Sequence, residues 1–204
     1  MNEEFEGLKD SITFKVLDGL PEGEKATGSR WVLSSKSNKN RNITKTKARL
    51  VAKGFMQREG VNYLQTSALT LAGASVKTMS VFANDMGFKQ YHLDVKQAFT
   101  KAKLDCKVVT KFPGGCGELS GKYVYLEKAL YGLKQRGWLW NNMLVNKLVS
   151  VHGMEQCMTD PCVFRLIREG KLVLTLAVHV DDMDVAGTRV EVNKLTTCDA
   201  QQRL

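Results

Sequence analysis

Two adjacent carboxylates, Asp181 and Asp182, carry the clearest chemical signal in this sequence. They follow a mostly aliphatic and β-branched run at residues 174–180, which is typical of a buried strand, and a second short apolar segment leads to Gly187. This pattern predicts a hairpin with both aspartates at its tip. Two carboxylates this close repel each other unless a cation lies between them, and hard divalent ions accept such oxygen ligands.

A third carboxylate, Asp94, lies near the end of another strand-like run at residues 91–95. One carboxylate from a strand end and two from a hairpin would suit a two-metal site, with ions roughly 3.5–4 Å apart, as nucleotidyl transfer uses. The alternative interpretation of an Asp-Asp pair is a solvated acidic turn in a purely structural domain. The third acidic residue, in a similar setting, favours the metal site.

The charge of the chain is strongly one-sided. The net charge is +9, and residues 25–58 hold ten lysines and arginines but no aspartate or glutamate. Such a segment indicates either a solvated face or a surface that binds nucleic acid or a triphosphate. At 204 residues with 43% hydrophobic content, the chain is long enough for one cored domain with or without a subdomain.

Several classes of protein and site are disfavoured. The five cysteines are odd in number and have no C-x2-C spacing, which argues against a zinc site or a disulfide framework. The three histidines lack metal-ligand spacing, and His92 and His179 are expected to be packed or to support ligands. No signal peptide or 18-residue apolar run occurs, so we expect an intracellular, most simply cytoplasmic, protein without a membrane partner. The oligomeric state is unknown from the sequence.

Strands and helices alternate along the chain in the manner of a βαββαβ unit. The apolar spacing at Val76, Met79, Phe82, Ala83 and Met86 predicts a helix that turns one face to the core. Further elements are predicted as follows: strands near residues 28–36, 47–55, 123–126, 162–167 and 172–180, a polar hairpin loop at 34–46, a helix opening within 95–103, a helix at 138–151 and a frayed helix at 190–204.

Four segments together resemble the reverse transcriptases of copia-type retrotransposons. In chain order they are residues 47–55 (KARLVAKGF) with Gln57 and 60–63 (GVNY), 93–99 (LDVKQAF), 128–135 (KALYGLKQ) and 180–182 (VDD), and the likeness extends over about residues 3–190. The resemblance implies an α+β fold, a polymerase palm of the ferredoxin-like βαββαβ type with a basic fingers subdomain. It divides the chain into a fingers-like region at 1–66, a palm-like catalytic region at 67–190 and a segment at 191–204 before a missing thumb.

The resemblance also implies the activity of an RNA-directed DNA polymerase. Asp94, Asp181 and Asp182 would be the catalytic, metal-binding residues, with Asp182 the less direct ligand. The cofactor would be Mg2+, with Mn2+ possible. The partners would be an RNA or DNA template with its primer, and a deoxynucleoside triphosphate (dNTP).

Six further residues take binding roles by the same resemblance. Phe99 would exclude the 2′-hydroxyl of a ribonucleotide, although it could also be a simple core residue. Gln135 and Lys134 lie at the start of a helix, where a solvated lysine is the alternative. The implied dNTP contacts are Lys47, Arg49, Phe99 and Gln135, and the implied nucleic-acid contacts are Lys53 and Lys134.

The sequence also departs from the family pattern. After the Leu-Lys-Gln motif the family commonly has Ala-Pro-Arg, whereas this chain has Arg136, Gly137 and Trp138. The chain ends about 22 residues past Asp182, where the thumb and ribonuclease H regions would follow. A fragment, or a decayed or repurposed copy, is therefore expected. The second hypothesis is a catalytically silent, nucleic-acid-binding remnant.

Overall fold

The structure is a computed structural model that describes residues 2–202, with side chains described for residues 2–195. The chain divides into two compact units. Unit 1 comprises Met1–Ser67 and Phe99–Leu139, and unit 2 comprises Ala68–Ala98 and Trp140–Leu204. Four α-helices and two five-stranded sheets occur in the described residues, so the predicted α+β class is confirmed.

Unit 1 is built on a sheet with the strand order β1-β6-β5-β2-β3, in which only β2 and β5 run parallel. Its elements are α1 (Asn2–Asp10), β1 (Phe14–Leu17), β2 (Thr27–Ser37), β3 (Ile43–Ala52), β5 (Val109–Lys111) and β6 (Tyr123–Leu126). Short 3-10 turns occur at Gly54–Met56, Ala98–Lys101 and Gly117–Leu119.

The core of unit 1 forms where α1 covers apolar strand residues. Helix α1 buries Phe5 and Leu8, and the Phe5 ring meets the edge of Phe112 at 5.7 Å between centroids. Phe14 contacts the same Phe112 ring at 4.8 Å, again edge to face. This aromatic cluster joins the first helix to β1 and to the segment after β5, and so ties sequence-distant parts of the unit together.

The predicted polar loop at residues 34–46 is wrong for most of its length. Strand β2 continues to Ser37 and β3 starts at Ile43, so only residues 38–42 form the turn. Asn38 holds that turn, because its Oδ1 accepts hydrogen bonds from the backbone N–H groups of Asn40 and Asn42, each at 3.0 Å. Polar composition suggested a loop, but cross-strand pairing satisfies the backbone of an exposed two-stranded ribbon equally well.

Unit 2 contains an antiparallel sheet with the strand order β4-β10-β9-β8-β7. Its strands are β4 (Lys89–Asp94), β7 (Glu155–Gln156), β8 (Val163–Arg168), β9 (Lys171–His179) and β10 (Asp182–Gly187). Its helices are α2 (Gly73–Asp85) and α4 (Arg189–Gln202), and most of α3 (Arg136–Ser150) also belongs to it. None of the helices in the described residues is long and apolar enough to span a membrane.

Helices α2 and α4 pack against strands of this sheet. The helical spacing predicted for α2 is correct, but its apolar stripe is only partly buried, since Met79 and Ala83 lie in the core while Phe82 and Met86 are exposed. The predicted helix opening at 95–103 is wrong. Gln97 has a φ of +54°, which interrupts a right-handed helix, and a single 3-10 turn follows.

Candidate active site

The register of β4 and β10 brings the sequence-distant carboxylates to one place in unit 2. Asp94, the last residue of β4, is the direct antiparallel partner of Asp182, the first residue of β10. The hairpin tip is therefore smaller than predicted. It consists of Val180 and Asp181 alone, while Asp182 already belongs to the strand.

Two hydrogen bonds from other segments of unit 2 fix this turn. The indole N–H of buried Trp140 donates to the carbonyl of Val180 at 2.6 Å, and the backbone N–H of Val95 donates to the carbonyl of Asp181 at 2.9 Å. Val180 has a φ of +60°, a conformation that costs a β-branched residue energy. Such a strained position persists only where its surroundings hold it, and it is typical of functional sites.

Strand alternation places the acidic residues on the open face of the sheet. Met183 and Val185 are buried on one face, so Asp182 and Asp184 point to the other. The side chains of Asp182 and Asp184 are 50% and 43% exposed, enough for direct contact with a ligand from solvent.

His92 joins this acidic face, and its neighbour Asp184 was not identified from the sequence. Nδ1 of His92 lies 2.9 Å from Oδ1 of Asp184, and Nε2 lies 3.5 Å from Oδ1 of Asp182. The hydrogen bond with Asp184 raises the pKa of His92, with Asp182 adding to the effect and partial desolvation opposing it. Instead of packing in the core, His92 is exposed and supports a carboxylate. The sequence signal that could have identified Asp184 is its i+2 spacing from Asp182, which places both side chains on one face of a strand.

The donor set suits a hard divalent cation, although no closed cage is present. Within residues 2–195, no three histidine, cysteine or acidic side chains are grouped as a metal site. The carboxylates of Asp94 and Asp181 make no hydrogen bond or ion pair with another described side chain, so their oxygens remain available. Because Mg2+ usually takes one or two protein carboxylates together with water and substrate phosphates, a closed cage is not required.

In unit 1, the basic residues of β2 and β3 lie on one face of the ribbon. Directly paired residues share a face, and the pairs Val32–Arg49, Ser34–Lys47 and Lys36–Lys45 set that face. Its cations are Arg30, Lys36, Lys45, Lys47 and Arg49. None of them forms an ion pair within the described residues. We define these five residues as the basic ribbon face.

The two lysines predicted to contact nucleic acid have different surroundings. Lys134 is exposed, and its Nζ donates to the hydroxyl of Tyr63 at 3.0 Å and lies 4.7 Å from the centre of that ring. The aliphatic part of Lys53 lies against Gly28, where an added Cβ would come within 3.2 Å of its Cδ. Lys53 is half-buried, so its stem packs in the unit.

Gln135, predicted to contact a dNTP, is fully buried and forms part of an internal amide network. Its Oε1 accepts a hydrogen bond from Nε2 of Gln57 at 2.9 Å, and its own Nε2 donates to the carbonyl of Asn62 at 2.7 Å. Gln57 is 5% exposed, and its Oε1 accepts the backbone N–H of Lys134 at 2.8 Å. We call this the Gln57–Gln135 lock. In the sequence, Gln57 was noted only as part of the family resemblance, and no role was predicted for it.

Close backbone packing holds the segment before the lock against β3. The backbone N–H of Ala52 donates to the carbonyl of Tyr131 at 2.7 Å. Gly132, with a φ of +89°, lies so near that an added Cβ would be 2.1 Å from the carbonyl oxygen of Ala52. Only glycine fits this approach, so the chain through residues 131–135 is tightly positioned.

Phe99 lies beside this segment rather than inside the core. It is half-buried, and its ring meets Tyr131 edge to face with 5.3 Å between centroids. The structure thus groups Arg49, Phe99 and Gln135 with the Tyr131 segment in unit 1. In unit 2, Asp94 and Asp182 share one sheet face, and Asp181 lies in the adjoining turn.

Comparisons with known proteins agree on one family. The family described as "Reverse transcriptase (RNA-dependent DNA polymerase)" matches residues 12–198. The chain is 31% identical over 191 residues to the retrovirus-related Pol polyprotein from transposon TNT 1-94 of Nicotiana tabacum, covering 92% of this chain and 14% of that protein. It is also 31% identical over 189 residues to the polyprotein from transposon RE1 of Arabidopsis thaliana, covering 92% and 13%. The chain therefore spans about one seventh of these relatives.

Proposed function

Because this chain belongs to the copia-type reverse transcriptases, we propose that it forms the nucleotide-transfer portion of an RNA-directed DNA polymerase. The observation that carries the proposal is the direct pairing of Asp94 with Asp182, next to a turn that presents Asp181. Segments nearly ninety positions apart in sequence supply carboxylates to one strand end, as a shared cation site requires.

The three aspartates would hold the divalent cations, with Asp94 and Asp181 as the principal ligands and Asp182 beside them. The ion would be Mg2+, with Mn2+ as a substitute, since both accept carboxylate and phosphate oxygens. When bound, such ions activate the primer 3′-hydroxyl and stabilise the pyrophosphate that leaves. The chain itself keeps the turn rigid through Trp140 and keeps the carboxylates open to solvent.

Unit 2 would act as the polymerase palm and unit 1 as the fingers. In unit 1, Lys47 and Arg49 of the basic ribbon face would neutralise the triphosphate, Arg49 through paired hydrogen bonds and Lys47 as a point charge. The limits expected from the resemblance are 1–66 for the fingers-like region, 67–190 for the palm-like region and 191–204 for the final segment, and we propose one change to them within 67–190. Residues 99–139 cluster with unit 1, so they would contribute to the fingers side.

The remaining predicted contacts concern the sugar and the nucleic acid. Phe99 would lie against the deoxyribose and exclude a 2′-hydroxyl. Gln135 is proposed to support the sugar contact indirectly, by holding the chain at residues 131–135, because its amide is fully engaged inside the unit. Lys53 and Lys134 would contact the template and primer backbone, which gives binding that depends on salt and little on base sequence.

Primer extension on a poly(A)–oligo(dT) template with Mg2+ or Mn2+ tests this function. We expect incorporation by the 204-residue chain and its loss in Asp181→Asn, while Asp85→Asn, an exposed carboxylate on α2, serves as the matched control. Binding of the template without incorporation would contradict the enzyme and indicate the silent nucleic-acid-binding remnant. Absence of both nucleic-acid and metal binding would leave only a structural domain.

A further inference from the structure

Four side chains of unit 1 form a row in which cations and aromatic rings meet. The guanidinium carbon of Arg49 lies 5.5 Å from the centre of the Tyr131 ring. Tyr131 meets Phe99 edge to face at 5.3 Å with an interplanar angle of 86°. The guanidinium carbon of Arg136 lies 5.4 Å from the centre of the Phe99 ring. All three distances fall within the range of cation–π and aromatic pairing.

Two members of this row, Tyr131 and Arg136, are held in place by hydrogen bonds that involve backbone groups. Tyr131 is held through its carbonyl by Ala52, and Gly132 packs directly against the same residue. Arg136, the first residue of α3, donates from Nη1 to the carbonyl of Leu133 at 2.8 Å. This hydrogen bond restricts the guanidinium while it lies over Phe99, so Arg136 has a defined position despite its long side chain.

Phe99 is thereby restrained from two directions. The Tyr131 contact limits the ring at its edge, and Arg136 covers it, while the ring remains half-buried. A half-buried phenylalanine without such contacts can change rotamer at little cost. A ring that excludes a 2′-hydroxyl has to resist such a rotamer change, because rotation of the ring would make room for the ribose of a ribonucleotide.

Arg136 is one of the positions where this chain departs from the pattern of the family it resembles. That family commonly has alanine directly after the Leu-Lys-Gln motif. An alanine side chain has no guanidinium and could not reach the Phe99 ring. The contact is therefore a property of this chain's own sequence, and it gives the departure a physical consequence.

We propose that Arg136 is a positioning residue that holds Phe99 in place and thereby increases selection of deoxynucleotides over ribonucleotides. The inference rests on the proposed function, in which Phe99 lies against the sugar. Arg136 does not contact the reacting atoms in this proposal and acts through the ring alone. Its loss should therefore alter sugar selectivity more than the rate of deoxynucleotide transfer.

The test compares single-nucleotide incorporation of dCTP and CTP opposite guanine on an RNA template, because these substrates differ only at the 2′ position. The full chain is compared with Arg136→Met, Arg136→Lys and the control Arg58→Met, which removes an exposed positive charge elsewhere in unit 1. We expect the ratio of kcat/KM values for dCTP and CTP to fall about two- to fivefold in Arg136→Met. Arg136→Lys should restore part of the ratio, and Arg58→Met should leave it unchanged.

The outcomes separate the two proposals. An active wild-type chain whose ratio is the same in Arg136→Met overturns the positioning role and leaves the polymerase function standing. A ratio that falls equally in Arg58→Met also overturns it, because the effect would then be one of general charge. A wild-type chain that incorporates neither nucleotide overturns the proposed function, and the inference falls with it. Thermal unfolding confirms that each variant is folded, and Arg136→Lys keeps the comparison decisive if Arg136→Met is not.

Discussion

His92 and Asp184 lie directly opposite each other on antiparallel strands β4 and β10, and Nδ1 of His92 is 2.9 Å from Oδ1 of Asp184. Two residues further along the strands, Asp94 and Asp182 form the next pair on the same face. Because side chains two residues apart share a strand face, one short stretch of sheet carries an imidazole and three carboxylates. The imidazole of His92 also lies near the second aspartate, with 3.5 Å between Nε2 of His92 and Oδ1 of Asp182.

The ion pair predicts the titration of His92. The pKa of His92 should lie above its ordinary value of 6.5, chiefly because of the hydrogen bond with Asp184. A raised pKa means that the pairing stabilises the fold below the ordinary value and is lost as pH rises through the raised one. NMR titration of the metal-free protein should show the pKa falling in Asp184→Asn and unchanged in Asp85→Asn. An unchanged His92 pKa in Asp184→Asn would contradict the assignment.

The basic ribbon face predicts how nucleic-acid binding responds to salt. Replacing Lys36 or Lys45 by glutamine should reduce the slope of log affinity against log salt by about 1 for each lysine, since each phosphate contact releases counterions. Leu33 is 71% exposed on the opposite face of the same ribbon, so Leu33→Ser should leave the slope unchanged. Titrations of a fluorescent RNA–DNA hybrid at several salt concentrations measure this. Equal slopes for all variants would place the nucleic acid elsewhere.

The close approach at Gly132 predicts a large loss of stability on substitution. Gly132→Ala should lower the free energy of unfolding by about 2–5 kcal/mol, because its Cβ would overlap the carbonyl of Ala52 in addition to the strain of positive φ. Gly121 also has a positive φ, +77°, but faces open space, so Gly121→Ala should cost only about 1–2 kcal/mol. Urea denaturation compares the two. Similar losses would show that backbone conformation alone matters at Gly132.

The Gln57–Gln135 lock predicts non-additive mutations. Gln57→Leu should cost about 2–3 kcal/mol, because it leaves the buried side-chain Oε1 of Gln135 and the partly buried backbone N–H of Lys134 without their partners. Gln135→Leu should cost a similar amount. In the double variant the loss should be smaller than the sum by about 1 kcal/mol, since neither glutamine side chain is left facing a missing amide partner. A double-mutant cycle by urea denaturation measures this coupling, and strictly additive losses would argue against a direct amide contact.

Asp160 predicts a pH-dependent contribution to the stability of unit 2. From a loop distant in sequence, Asp160 caps the N-terminus of α2: its Oδ2 accepts hydrogen bonds from the N–H of Ala72 and the hydroxyl of Ser75. Its Oδ1 accepts the N–H of Cys162. Burial alone would raise the pKa of Asp160, but these hydrogen bonds together lower it.

A lowered pKa means that this stabilisation is present above the ordinary carboxyl value and is lost as pH falls through the lowered one. Asp160→Asn should therefore cost about 1 kcal/mol at neutral pH, and the difference from wild type should shrink below about pH 4. Thermal unfolding across pH measures it. Asp85→Asn, at the other end of α2, should show no loss, and a pH-independent difference for Asp160→Asn would contradict the cap.

Local patterns predicted elements where a single period dominates the sequence. The helices near 73–85 and 136–150 and the apolar strand before Asp181 follow from such periods. The same reasoning was wrong at residues 34–46, where exposed polar strands have the composition of a loop, and at 95–103, where a positive φ at Gln97 ends a helical pattern. In both places the decisive factor was backbone pairing or conformation, which composition does not encode.

The sequence by itself determined the candidate chemistry of this protein: three aspartates at strand ends, a one-sided basic segment and motifs typical of one polymerase family. Only the tertiary structure decided which side chains meet. The pairing of Asp94 with Asp182, the placement of His92 between two carboxylates, the burial of Gln135 and the cover that Arg136 gives to Phe99 depend on strand register and close backbone approach. These contacts join residues 37 to 92 positions apart, and such long-range pairing is set by the packing of the whole unit rather than by any local pattern.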